Sequence, residues 1–402
     1  MKTYKFIIGI GLSIGLAGAL PASAQWVNNG AAVFIAANTD VMVNNADYVH
    51  QSGDVELNGW LGVGGNWENN DANSFALNSD GKGTVELLGD AQTIGGSNHT
   101  AFYNLLLSGT GVKTLGVEQE VSNELNLTDR ELALQDFKLS VTATNLGAIQ
   151  RSSGFISTES SQGTLVRKTA LTGEYLFPMG SGRGITRYRP VMLQVPDAEA
   201  SFAVSFTNDD ANKAGFSRDN LSAGVTNVNP DYYHRIERVN GITSFDVSIL
   251  YNVSDGGFQE MTYWDNTGSS WKNLQKTSLV TGVYGDNLDR KITKTSVDLL
   301  TSSYYALSNG VLGNNILSIP TAFSPNGDGR NDVLTIIGID NYPDNEVSIL
   351  NRWGDILFTK KSYSSSNTFD GGDLNPGTYY YVVKLKVNSE TKMFSGYITL
   401  LR

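Results

Sequence analysis

Between Trp26 and Ser160 apolar residues alternate with polar ones in short runs, each broken by Gly, Asn, Asp or Ser. Alternation with period two turns one face of a segment inward, so the pattern predicts many short strands; helical periodicity is absent. Some runs recur. Gly53-Asp-Val-Glu-Leu-Asn-Gly59 returns as Gly83-Thr-Val-Glu-Leu-Leu-Gly89, and Leu105/Leu107 returns as Leu125/Leu127, followed by Leu132/Leu134 and Leu139/Val141. Such recurrence predicts stacked coils, a right-handed parallel β-helix in which each coil sends an apolar pair inward per face while Asn and Gly turn the corners. The competing arrangement is an antiparallel sandwich with irregular hairpins.

From Gly163 to Asn309 the strands lengthen and turn aromatic and β-branched, as in Ser201-Phe-Ala-Val-Ser-Phe206 and Ser244-Phe-Asp-Val-Ser-Ile-Leu-Tyr251, which predicts a β-sandwich. The first region resembles β-helical stretches of bacterial surface proteins and adhesins. The second, with Tyr175-Leu-Phe-Pro-Met-Gly180, Arg187-Tyr-Arg-Pro-Val191, Tyr232-Tyr-His-Arg235, Trp264 and Trp271, resembles a sandwich region of large secreted proteins of the phylum Bacteroidota. Ahead of both, Lys2 and Lys5 precede an apolar stretch from Phe6 to Leu20 and a small-residue Ala22-Ser23-Ala24 site, the layout of a secretory signal with the mature chain starting at Gln25. That stretch is too short and too glycine-rich for a spanning anchor.

Composition narrows the chemistry. The chain of 402 residues contains Cys 0, which excludes disulfides, thiolate chemistry and lipidated cysteine. Its three histidines, His50, His99 and His234, are too dispersed to suggest an imidazole metal or triad site. A formal charge of −11 argues against nucleic-acid or anionic-membrane partners, and loss of Lys2 and Lys5 with the signal would make it −13. Parallel β-helices also carry polysaccharide-cleaving enzymes, whose chemistry needs paired carboxylates. Asp54, Glu56, Glu68 and Asp71 form the nearest cluster, with Trp60 and Trp67 as sugar-stacking candidates, but outward acids alternating with Val55 and Leu57 are what a solvated strand needs. Gly62-Val-Gly64-Gly65 lacks the lysine and helix of a phosphate loop, and Gly180-Ser-Gly-Arg-Gly184 fits neither a nucleophile elbow nor a dinucleotide loop, so both read as turns. Asp209, Asp210 and Asn212 read as a self-capping turn rather than a cation site.

The last region carries the most specific motifs. Ile319-Pro-Thr-Ala-Phe-Ser-Pro325-Asn326-Gly327-Asp328-Gly329-Arg330-Asn331-Asp332 is followed by Tyr342-Pro343 and Val347-Ser-Ile-Leu-Asn351-Arg352-Trp353-Gly354-Asp355-Ile-Leu-Phe358. Then come Phe369-Asp370-Gly371, Leu374-Asn375-Pro376-Gly377-Thr378-Tyr379-Tyr380-Tyr381 and Gly396-Tyr-Ile-Thr-Leu-Leu-Arg402. Period-two alternation puts Tyr379, Tyr381, Val383, Leu385 and Val387 on one face of a strand and Lys384 and Lys386 on the other. Asn375-Pro376-Gly377 predicts a tight turn with positive φ at the glycine, and Trp353-Gly354-Asp355 a second turn, giving a small antiparallel sandwich. Asn326, Asp328 and Asp332 are candidate calcium ligands. They do not make an EF-hand, because position twelve is Ile337 and Arg330 stands where a donor is needed; the alternative is an Asx/Gly turn.

Together these motifs resemble the gliding-motility-associated C-terminal domain, the type B sorting domain of the type IX secretion system in Bacteroidota. One departure is Phe369, where that family usually has Trp before Asp-Gly. The resemblance implies that the module is an export and surface-targeting signal read by the type IX translocon, with a PorP/SprF-type outer-membrane partner. The expected organisation is therefore all-β: a signal peptide at 1–24, a β-helix-like passenger region at 25–160, a β-sandwich region at 161–310, a linker at 311–318 and an Ig-like sorting domain at 319–402. The expected function is that of a non-enzymatic secreted or cell-surface cargo with a structural or adhesive role. A secretion-apparatus or signalling accessory, and a polysaccharide-degrading β-helix, are the alternatives.

Overall fold

The computed structural model describes residues 5–7, 24–71, 75–76, 82–158, 162–241, 244–274, 277–298, 303–310, 317, 319–328, 331–387 and 390–402. The secretory-signal reading, apart from Lys5–Ile7 and Ala24, lies outside the described residues, as do Gly329, Arg330 and all of 311–318 except Leu317. No described helix is long and apolar enough to cross a membrane. The chain divides into two compact units, Met1–Ser222 with Val228–Ser308, and Ala223–Asn227 with Asn309–Arg402.

The first unit begins as a parallel solenoid. One face stacks Asp40–Val43, Trp60–Val63, Thr84–Leu87 and the second half of Thr100–Leu107, all parallel. In register, Val41, Leu61, Val85, Leu105, Leu125 and Ile149 form a single interior column. A second face stacks Gln25–Asn29, Asp47–Ser52, Trp67–Asn69, Gln92–Gly96, Lys113–Leu115, Glu131–Ala133, Phe155–Ser157 and Met179–Ser181. Here Trp26, Tyr48, Trp67, Ile94 and Leu115 make an interior column whose aromatic end is stacked, with Tyr48 and Trp67 ring centres 4.3 Å apart. Such columns explain why a parallel stack forms: each inward side chain lands on an apolar one of the neighbouring coil, and burying each stabilises by about 2 kcal/mol.

The recurrence of Gly53–Gly59 at Gly83–Gly89 is not a stacking repeat. Val55 and Leu57 pair with Val33 and Ile35 on a third face, whereas Val85 and Leu87 stack on Leu61 and Val63. Alternation declares that a segment has an inside but not which side of the coil it occupies. The Leu105/Leu125 recurrence is a true register pair.

The corners carry buried polar side chains where the backbone turns and its carbonyls lose ladder partners. Lys113 is wholly buried, and its ammonium donates to the carbonyls of Gly89 (2.9 Å), Asp90 (2.6 Å) and Thr110 (3.0 Å) and to Gln92 Oε1 (2.9 Å). Gln92 in turn donates to the Val63 carbonyl at 3.0 Å and to that of Gly65. Gly109 is needed between them: its φ is +67°, and a Cβ there would run into the carbonyls of Gly89 and Leu88.

The solenoid passes into a sandwich without a break in the sheet. Thr164–Thr169 pairs in parallel with Lys138–Val141 on one edge and antiparallel with Ala200–Thr207 on the other. From there the sheet continues antiparallel through Tyr233–Asn240, Ser303–Gly310, Glu260–Asp265 and Ser270–Asn273. A second antiparallel sheet, in the order Gly173–Phe177, Val191–Val195, Ser244–Tyr251, Arg290–Asp298, Thr277–Thr281, packs on it, with Phe202 and Phe245 rings 4.6 Å apart. Gly180-Ser-Gly-Arg-Gly184 is accordingly not all loop, because Gly180 and Ser181 belong to the last rung of the second face. Arg167 plugs the interior end of the solenoid. Fully buried, it donates to the carbonyls of Leu176 (2.7 Å) and Asn145 (3.2 Å), while the Tyr175 hydroxyl beside it donates to the Thr144 carbonyl at 2.6 Å.

The second unit has a five-stranded sheet in the order Ala322–Phe323, Glu390–Leu400, Gly377–Val387, Asn345–Leu350, Ile356–Lys361. Its inner face supplies Val347, Ile349, Val383, Leu385, Ile398 and Leu400 to a core closed by Phe323, Leu334, Tyr363 and Phe369. The alternation of Tyr379, Tyr381, Val383 and Leu385 towards that core agrees with the sequence pattern.

Candidate functional site in the C-terminal module

The four acids and two tryptophans of the solenoid do not form one cluster, although Asp54 and Asp71 both bear electrostatically on buried His50. Glu56 projects from the third face and accepts from Asn58 at 2.8 Å, while Glu68 lies on the second. Asp71 is buried, with Oδ2 3.5 Å from His50 Nε2. Burial lowers the His50 pKa, with Asp71 pulling the other way. Trp67 is no sugar platform. It is fully buried and donates to Thr100 Oγ1 at 2.9 Å, whereas Trp60 is half-buried on the outside and donates to Glu86 at 2.8 Å. His99 contributes its carbonyl to Asn69, and His234 is buried in the sandwich against the Arg189 carbonyl, with its pKa lowered by burial to about 4. Asp209 is paired with Lys213 (2.8 Å), Asp210 with Arg218 (2.8 Å), and Asn212 accepts from the Arg218 amide, so the three are a capped turn. No group of three or more acidic or histidine side chains among the described residues is arranged to hold a metal ion.

In the second unit the motif residues divide into those that shape loops and those that the loops display. Asp332 Oδ1 accepts from the amides of Asn326 (3.1 Å) and Gly327 (2.7 Å), and Asn326 Oδ1 accepts from the Asp328 amide (3.1 Å). Asn326 Nδ2 also donates to Asp328 Oδ2 at 3.2 Å. The oxygens proposed as calcium ligands are thus engaged in an Asx turn, with left-handed Gly327 (φ +79°) and Asn331 (φ +52°). Phe369 fills the aromatic position before Asp370-Gly371, with its ring 4.4 Å from Phe358 and its amide donating to Tyr363 Oη at 2.7 Å.

The turn ahead of the tyrosine strand begins four residues earlier than Asn375-Pro376-Gly377 suggested, at Gly371. Gly377 already belongs to the strand and pairs with Leu400, and the left-handed residues are Gly371 (φ +88°) and Gly372 (φ +45°), where Leu374 N–H donates to Gly371 O at 3.1 Å. Proline explains the shift, since its fixed φ suits an entry into extended chain as well as a turn. Arg402 reaches back to donate to the Gly372 carbonyl. Gly396 lies under the Tyr381 ring, and a Cβ there would displace the ring and its hydroxyl.

Asn351 organises the turn that sequence analysis placed at Trp353-Gly354-Asp355. Its Oδ1 accepts from the amides of Trp353 and Asp355, both at 2.9 Å, its Nδ2 donates to Asp355 Oδ2 at 2.8 Å, and Gly354 adopts φ +91°. The result holds Trp353 out in solvent, 81% exposed, next to Arg352. Asn351→Ala should lower the stability of this unit by about 1 kcal/mol through loss of the side-chain bonds that fix the exposed turn, read by calorimetry of the full chain. No change would mean that the turn holds itself.

Of the exposed aromatics, Trp353 is one of the motif residues, whereas Tyr380 and Tyr397 are not singled out by the motifs. The signal was present in the run Tyr379-Tyr380-Tyr381, whose middle member must face away from the core if the outer two face it. Beside them, Leu350, Arg352, Tyr380 and Tyr397 line a cavity of about 390 Å³.

Residues 317–400 match the family model of the CHU_C type IX secretion signal domain. No curated protein and no solved structure matches the chain.

Proposed function

With a type IX secretion signal domain at residues 317–400 as premise, we propose that this chain is a type IX cargo whose solenoid and sandwich form a non-enzymatic surface passenger. Its role is structural or adhesive, and its last module carries it across the outer membrane. The family match carries the export half of this reading. Support for the passenger half comes from the placement of the candidate acids: Glu56 lies on the third face and Glu68 on the second, and Asp71 is buried against His50. Stacked coils offer lateral surface rather than a pocket, the form expected of a stalk or adhesin.

The test is fractionation of cells making the full chain against cells making a chain that ends at Ser318, followed with antibody to the sandwich. The truncated chain should accumulate folded in the periplasm and vanish from surface and medium. Its arrival at the surface would overturn the export reading. Retention of other type IX cargo in cells lacking the protein would favour an accessory of the apparatus over a cargo.

A further inference from the structure

The solvent face of the sorting-domain sheet breaks the polar-outward rule of a one-sided antiparallel sheet. Laterally paired residues on that face form rows across four strands. One row reads Ile356, Leu350, Tyr380, Tyr397. Within it Ile356 is 64% exposed, Tyr380 47% and Tyr397 58%, and Trp353, 81% exposed, stands on the turn that joins the strands of Leu350 and Ile356. Two rows further along, the face becomes Lys361, Glu346, Lys384 and Met393, followed by Lys386 beside Asp344. The face is therefore apolar and aromatic at one end and cationic at the other.

Two physical arguments say that the aromatic end is for contact. Leaving Trp, Tyr, Ile and Leu contiguous in water is unfavourable and marks an interaction surface. Trp, Tyr, Met and Arg are also the residues enriched where protein interfaces are fully buried. The Asn351 turn adds a third: three hydrogen bonds and a left-handed glycine are committed to holding Trp353 outside the core. Charge narrows the partner. At the far end Lys384 pairs with Glu346 (3.0 Å) and Lys386 with Asp344 (3.5 Å), which leaves Lys361 as the excess positive charge of that end, although the whole chain is strongly acidic.

We propose that this face docks onto a protein subunit of the type IX export apparatus, one whose surface is apolar where it meets Trp353, Tyr380 and Tyr397 and acidic where it meets Lys361. The inference rests on the module being the export signal and assigns its recognition surface.

The test uses the full chain in its native cells. The variant Trp353→Ser/Tyr380→Ser/Tyr397→Ser alters only exposed side chains, so its melting temperature should stay near that of the parent, while its export should fall about thirtyfold. Lys361→Glu should reduce export by roughly tenfold through repulsion at the acidic side. Wild-type export of the triple variant, with the chain ending at Ser318 still retained, would overturn the docking face and leave the export signal standing. Export of the chain ending at Ser318 would remove both. Wild-type export of Lys361→Glu would overturn the acidic partner. A readout independent of variant folding is photocrosslinking from p-benzoylphenylalanine at position 380 of the otherwise unaltered chain. An adduct with a type IX component, identified by mass spectrometry, is expected. An adduct only with a second copy of this chain, or none, would overturn the proposal.

Discussion

Trp67→Ala should cost the solenoid about 4 kcal/mol of stability. The indole is fully buried, stacked at 4.3 Å on Tyr48, 5.3 Å from Phe102, and its N–H is satisfied by Thr100 Oγ1. Truncation would leave a void between coils that cannot close, because each coil's height is set by the hydrogen bonds of its neighbours. Trp60→Ala, which removes a half-buried ring and its bond to Glu86 from the outside of the same coil, should cost only about 1 kcal/mol. Urea denaturation of the two variants, followed by circular dichroism, separates them. Equal losses would mean that the aromatic column is not what holds the first coils together.

Lys113→Met should cost about 3 kcal/mol, although it replaces a buried charge with an apolar side chain of similar length. The reason lies in what is left behind: three backbone carbonyls and Gln92 Oε1 would lose their donor at a corner closed to water. The charge itself is under strain. Burial, and secondarily Arg130, bring the Lys113 pKa down to about 8. A base whose folded pKa is depressed binds fewer protons folded than unfolded between that value and its ordinary one. Its burial penalty is therefore full below pH 8 and relieved as pH rises towards the ordinary lysine range, so stability from this group increases across that window. The stability gap between parent and Lys113→Met should widen from pH 7.5 to 10, measured as the difference in urea midpoints. A gap that narrows over that range would contradict the assignment.

Particular residues show how far the sequence carries. Leu105 over Leu125 was legible because both lie in full coils of matching length, so that recurrence along the chain becomes recurrence in space. Val55/Leu57 against Val85/Leu87 was misleading, because identical alternation serves two different faces. Lys113 was invisible: its neighbours Thr110, Gly111 and Thr114 look like any exposed corner, and only stacking brings the carbonyls of Gly89 and Asp90 around it. At the C-terminal module, motif order identified the family segment and alternation sorted inner from outer tyrosines. The aromatic row was out of reach, since Leu350, Tyr380 and Tyr397 become neighbours only through strand register.

The strand Thr164–Thr169, parallel to one neighbour and antiparallel to the other, also joins two regions of different contact order. Every rung of the solenoid before it closes against a coil made just earlier in the chain, a low-contact-order process that can advance from the N-terminal end as the polypeptide emerges. Ala200–Thr207 pairs with Thr164–Thr169 on one edge and with Tyr233–Asn240 on the other, so Thr164–Thr169 is the one strand through which the sandwich sheet joins the solenoid sheet. A defect in the last coils of the solenoid would therefore reach the sandwich through the shared strand Thr164–Thr169.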